Sequence, residues 1–142
     1  LAKDAFTAGV CGFIVPDLTW EESAEFRTVL DKQGLALVQL VTPVTPDSRL
    51  EKLCKASQGF VYAVTITGIT GGNVALPPTV MAYLDRVTRF AAVPVCAGFG
   101  VRHAEQVESL GRHASGVIVG SALVECLEAG ENPAEFLVTL RR

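Results

Sequence analysis

Apolar residues in this chain fall into short, nearly continuous blocks: "GFIV" (12–15), "LALVQLV" (35–41), "FVYAVTI" (60–66), "VPVCAG" (93–98) and "GVIVG" (116–120). Each block has the length of one strand. A strand with one wet face alternates apolar and polar residues, so runs that are apolar on successive positions predict a parallel sheet buried on both faces. Between the blocks the pattern changes to a helical period. In "TWEESAEFRTVLDKQG", Thr19 can cap a helix with Glu22 three residues on, Phe26, Val29 and Leu30 share a face, and Gly34 stops it. A second helix follows Pro46 with Leu50, Leu53 and Cys54 inward. A third starts near Pro77 and Pro78 with Val80, Leu84 and Val87 in register, and Val107 and Leu110 mark a fourth. A short helix runs from Ser121 to about Glu128, and Pro133 opens a last one carrying Phe136, Leu137 and Leu140.

The blocks begin at 12, 35, 60, 93 and 116, so strands recur every 23 to 33 residues, the spacing of strand–helix crossovers. Residues 1–8, "LAKDAFTA", read as the last turns of a helix leading into the first strand. The chain is expected to be a single α/β domain over 1–142 that starts partway through a repeat.

Composition narrows the function classes. With 142 residues, 49% of them hydrophobic, there is enough apolar material for one cored domain. A net charge of −3, with scattered Lys and Arg, gives no basic footprint for nucleic acid. No apolar run approaches the ~18 residues of a membrane helix, and the first residues lack a signal-peptide layout, so a cytoplasmic protein is expected. The four cysteines, Cys11, Cys54, Cys96 and Cys126, form no CxxC pair and suggest neither a zinc site nor a disulfide framework. Cys11 and Cys96 are read as small hydrophobes. No metal site is expected.

In parallel α/β folds, ligand-contacting groups gather at the C-terminal ends of the strands. Here those ends carry Asp17, Thr42, the stretch "TITGITGG" (65–72), Gly98 and Gly100, and Gly120 with Ser121. Glycines let backbone N–H groups approach a ligand, and a helix beginning at Ser121 points free N–H groups and its positive dipole end outward. Those glycines can equally make tight turns; three glycine-rich ends beside a short extra helix favour phosphate binding. Asp17 is either a helix-proximal cap or a ligand contact. Tyr62 is either core or a rim group, and Thr70 either turn chemistry or the anchor of a mobile loop. His103 and His113 are assigned to solvent-exposed turns without partners. Glu21, Glu22, Glu105 and Glu108 are assigned to solvated helix faces.

Taken together, "VPDLTWEESAEF", "LVTPVTPDSRLEKL", "GFVYAVTITGITGG", "PVCAGFGVRHAEQV" and "GVIVGSALV" resemble the C-terminal half of the tryptophan synthase alpha subunit, in order and spacing, across nearly the whole chain. The resemblance implies a parallel (β/α)8 TIM barrel, of which this chain supplies about the last five strand–helix units. It implies a lyase of tryptophan biosynthesis that cleaves indole-3-glycerol phosphate to indole and glyceraldehyde 3-phosphate, and a beta-subunit partner carrying pyridoxal phosphate. This chain itself is expected to hold no cofactor. Gly71, Gly100, Gly120 and Ser121 would hold the phosphate; Phe99 would lie beside the indole, Tyr62 along the substrate, Thr70 on a closing loop and Asp17 at the pocket mouth facing the partner. Two segments depart from the family pattern. Thr19-Trp20 stands where proline is usual, and Arg102-His103-Ala104 where Ser/Thr-Pro is frequent. The family's catalytic glutamate and aspartate have no counterpart here and are expected upstream of Leu1, so the isolated chain is expected to be inactive. Two alternatives are a non-catalytic phosphate-binding half-barrel that self-associates through exposed sheet edges, and another phosphate-binding TIM-barrel enzyme.

Overall fold

A computed structural model describes residues 1–65, 76–98 and 100–141. Five strands, β1 (Gly12–Ile14), β2 (Ala36–Val41), β3 (Val61–Val64), β4 (Val95–Gly98) and β5 (Gly116–Ile118), form one sheet in sequence order, every neighbouring pair parallel. Helices α1 (Ala2–Thr7), α2 (Ala24–Asp31), α3 (Asp47–Ala56), α4 (Pro78–Phe90) and α5 (Ala104–Gly111) alternate with the strands, and α6 (Ser121–Glu128) and α7 (Pro133–Thr139) follow β5. Every strand block holds a strand, as the apolar runs predict. Among the described residues, no helix is long and apolar enough to cross a membrane.

Residues paired across a parallel ladder point to the same face. Val41 pairs with Ala63, Ala63 with Ala97, Ala97 with Val117, and Val61 with Val95. That row packs against Leu50, Leu53 and Cys54 of α3, Val80, Tyr83, Leu84 and Val87 of α4, and Leu110 of α5 in the main core. A second cluster joins Ala2, Leu30, Leu35 and Leu37, with Phe13 and Phe26 edge to face at 5.7 Å. The buried Tyr83 donates its hydroxyl to the Val41 carbonyl at 2.8 Å, which satisfies both groups inside the core.

Burial on both faces is only partial, with Val38 buried on the second face at 6% exposure. On the face away from the helices, Leu40, Tyr62, Val64, Cys96 and Ile118 are half-buried and Ile14 is 43% exposed.

Local chemistry explains where the helices begin. Pro78 opens α4 at its first turn, and Asn132 caps α7 by accepting from the Ala134 N–H at 3.0 Å, with Pro133 behind it. Helix α2 begins at Ala24, later than the Thr19–Glu22 pattern predicts. Those two residues do bond each other, Thr19 Oγ1 donating to Glu22 Oε2 at 2.6 Å, but they close a turn ahead of the helix. Glu21 and Glu22 are therefore turn residues and not helix residues. Val29, expected inward, is 48% exposed, because α2 turns Phe26 and Leu30 to the core and Val29 lies about 100° away from Leu30. Leu137 is likewise exposed and Cys11 is solvent-facing ahead of β1. His113 does have a partner: its Nδ1 lies 2.7 Å from Asp85 Oδ1.

Truncating Leu84, fully buried between α3, α4 and the sheet, to alanine is expected to cost about 2–5 kcal/mol. The same truncation at Val29 should change stability by about 0.5 kcal/mol or less. Urea denaturation of the two variants checks the contrast, and a large loss at Val29 would contradict the packing described.

Candidate functional site

The register of the sheet determines which strand ends meet. Gly98, the last residue of β4, pairs with Ile118, the last of β5, and each chain then runs two residues further, to Gly100 and Gly120. The two glycines therefore stand at equal distances beyond neighbouring strand ends. Gly100 adopts φ +75°, a left-handed conformation that side chains rarely take, which is a backbone reason for glycine at that position. Gly120 precedes α6 and accepts the Leu123 and Val124 N–H groups at 2.9 and 3.1 Å. The N–H groups of Ser121 and Ala122 come before the first such bond and point outward, and Ser121 is exposed. A Cβ added at Gly120 would meet nothing within 4 Å among the described residues. Among the described residues, the first N–H groups of α6 and its positive dipole end thus lie beside Gly100, an arrangement that can receive an anion.

Tyr62 reaches the same end of the sheet. Its Cα pairs with Cys96, yet its ring edge lies against Gly98, two residues further along β4. The side chain thus leans toward the C-terminal edge, on the face without helices. A Cβ at Gly98 would sit 2.9 Å from Tyr62 Cε2, 3.0 Å from its hydroxyl and 2.8 Å from Ile118 Cβ. Gly98 is the notch that admits the ring, a role invisible in sequence, where the residue only closes an apolar block. Partial burial pushes the Tyr62 hydroxyl above its ordinary value of 10, so it stays a neutral hydrogen-bond donor at physiological pH. Thr65 reinforces this edge, its N–H and its hydroxyl both bonding the Gly98 carbonyl, at 2.8 and 2.9 Å.

Asp17 lies apart from these groups, exposed in the turn after β1. Its segment is anchored by neighbours. The Arg27 guanidinium stacks on the Trp20 ring at 3.5 Å, Ser23 donates to the Trp20 carbonyl at 2.7 Å, and Glu21 receives both Arg49 Nη atoms at 3.0 Å with Lys52 at 3.6 Å. A cavity of about 200 Å3, partly open to solvent, lies beside this segment between Pro16, Trp20, Leu40 and Arg49, and none of the described candidate site residues lines it. Thr70, Gly71 and Phe99 lie outside the described residues. Of the candidate site residues, Tyr62, Gly100, Gly120 and Ser121 thus lie at the C-terminal end of the sheet, and Asp17 lies after the first strand.

A family model described as tryptophan synthase alpha chain matches residues 1–141. The chain belongs to the tryptophan synthase alpha family. A tryptophan synthase alpha chain of Solidesulfovibrio magneticus is 44% identical over 141 residues, covering 99% of this chain and 55% of that one. Among solved structures, a mutant tryptophan synthase alpha subunit from Pyrococcus furiosus superposes with a TM-score of 0.85 at 36% identity, covering 98% of this chain and 58% of that one. A chain from a tryptophan synthase complex of the same organism gives 0.83 at 34% identity, with 98% and 57% covered. The chain spans about half the length of the curated relatives it matches. Its five parallel strand–helix units correspond to part of the TIM barrel of those tryptophan-biosynthesis lyases.

Glu21 offers a direct check on the loop anchor. The hydrogen bonds from Arg49 hold its carboxyl well below the ordinary 4.5, at about 2. A depressed folded value means the pair's contribution is fully present above about 4.5 and is lost as pH falls through about 2. A carbon-detected NMR titration should find Glu21 near pH 2, and Arg49→Ala should return it toward 4.5; an ordinary value in the parent chain would remove the anchor.

Proposed function

We propose that this chain forms the phosphate-binding part of a lyase that splits indole-3-glycerol phosphate into indole and glyceraldehyde 3-phosphate. The observation that carries the reading is the matched placement of Gly100 and Gly120 beyond paired strand ends, beside the free N–H groups that open α6. In this reading the Ser121 and Ala122 N–H groups and the Ser121 hydroxyl donate to phosphate oxygens, with Gly71 completing the cradle. Tyr62 borders the glycerol and indole portion with Phe99, Thr70 sits on a closing loop, and Asp17 faces a pyridoxal-phosphate-bearing beta subunit. The enzyme would work in the cytoplasm.

Holding the phosphate does not break the bond. Retro-aldol cleavage needs an acid to protonate the indole ring carbon at the scissile bond and a base to take the glycerol hydroxyl proton as that carbon becomes an aldehyde. Among the described strand ends, the acidic group nearest a strand is Asp17, which is exposed and remote from Tyr62 in the sheet order. Neither role is assigned to it. The polypeptide of residues 1–142 accordingly binds the substrate's handle without catalysing its cleavage.

A second reading, a self-associating phosphate-binding half-barrel, is favoured by one observation: the half-buried apolar face from Ile14 to Ile118 and the two unpaired edges at β1 and β5. Sedimentation over a range of concentrations distinguishes the two, since a tight dimer that binds phosphate esters and releases no indole on addition of beta subunit supports it.

Calorimetry with glycerol 3-phosphate tests the cradle. Ser121→Asp, which sets a carboxylate against the phosphate, should lose detectable binding, and Ser121→Ala, which removes one donor, should weaken it by about tenfold or less. Both should melt with the parent, Ser121 being exposed. Equal binding by Ser121→Asp and the parent would make Gly120-Ser121 a turn and nothing more. Indole release by the purified 142-residue chain would refute the division of labour.

A further inference from the structure

Arg102 and Glu125 tie together the two loops of the proposed phosphate cradle. Arg102 follows Gly100 by two residues. Glu125 follows Ser121 by four, one helical turn, so it stands on the same face of α6, and helical side chains lean back toward the N-terminus. Their pairing is fork to fork: Arg102 Nη2 donates to Glu125 Oε1 at 2.7 Å and Nη1 donates to Oε2. The Arg102 guanidinium holds the Glu125 carboxyl below its usual range. The backbone of Arg102 is fixed as well. Buried Gln106 turns its Oε1 to the N–H groups of Arg102 and His103, at 2.8 and 3.1 Å. Helix α5 opens on a reciprocal capping box in which the His103 side chain accepts the Gln106 N–H and Gln106 accepts the His103 N–H, so His103, expected without a partner, has one, and Arg102 is delivered to Glu125 from a constrained backbone.

We propose that Arg102 and Glu125 are a positioning pair, touching no substrate, that sets the spacing between the Gly100 loop and the Gly120-Ser121 helix start and so the fit of the phosphate between them. The proposal rests on the phosphate reading above. It also follows from the charges. A carboxylate one turn from an anion seat is repulsive when alone, and Arg102 neutralises it in place. A bidentate arginine pair fixes orientation as well as charge, which a lysine does not.

Double replacement separates position from charge. Arg102→Ala together with Glu125→Ala removes one positive and one negative charge and leaves the net charge unaltered. If the pair acted only through its field, this double variant would bind glycerol 3-phosphate like the parent. As a positioning pair, its loss should weaken binding about two- to fivefold, the range an exposed ion pair carries. The exchanged variant, Arg102→Glu with Glu125→Arg, should recover most of that loss. Arg102→Ala alone, which leaves Glu125 uncompensated, should be the weakest binder. The measurements are calorimetry at low ionic strength, melting temperatures, and amide shifts of Gly100, Gly120 and Ser121 without ligand, which should move in the double variant and return in the exchange. Parental binding by the double alanine variant, or no recovery on exchange, overturns the proposal while leaving the cradle intact. A parent chain that does not bind glycerol 3-phosphate overturns the cradle reading itself.

Discussion

The parallel ladder that sets Leu40, Tyr62, Cys96 and Gly116 side by side carries the rest of the molecule. Side chains alternate along a strand, so a slip of one residue would move Tyr62 into the helix layer and turn Val61 and Ala63 out of the core. Burial of Val61, Ala63, Val95 and Ala97 under α3, α4 and α5 opposes that slip, and the price is a second face left half-covered. The same register levels the ends of β4 and β5, so that Gly100 and the start of α6 lie beyond neighbouring strand ends.

Polar contacts refine this frame more than they stabilise it. Glu21 with Arg49, Arg102 with Glu125 and His113 with Asp85 are all at least partly exposed, and such pairs contribute little to folding free energy. Each, however, fixes a loop or helix end next to a strand end: the turn after β1, the turn after β4 and the approach to β5. The apolar layer holds the strands while the ion pairs set where their loops point.

Most of the frame was legible in the sequence. The five apolar blocks mark the strands because burial on the helix side and half-burial on the other both exclude polar residues, so the run alone could not reveal that one face stays uncovered. Pro46, Pro77-Pro78 and Pro133 mark helix starts because proline chemistry is local. The start of α2 was missed because Thr19 and Glu22 satisfy each other in a turn as readily as in a helix. The pairs Arg102–Glu125 and Arg49–Glu21 are separated by 23 and 28 residues and carry no local signature. Of the candidate site, the Gly100 and Gly120-Ser121 ends could be found from glycine and helix-start signals and Tyr62 from the family resemblance, while the contact of its ring with Gly98 has no sequence signature.

One smaller feature bears on how the chain can vary. The N–H of Leu37 is met by the Gln58 side chain and that of Gln39 by Ser57 Oγ, both at 2.9 Å, so two side chains stand in for ladder partners before β3 begins. Connections between elements usually accept changes in length most readily. Here the α3-to-β3 connection is measured against β2 at two points. Adding or deleting a residue within it would shift both side chains out of reach, which makes this loop, far from any ligand, one of the least forgiving in the fold.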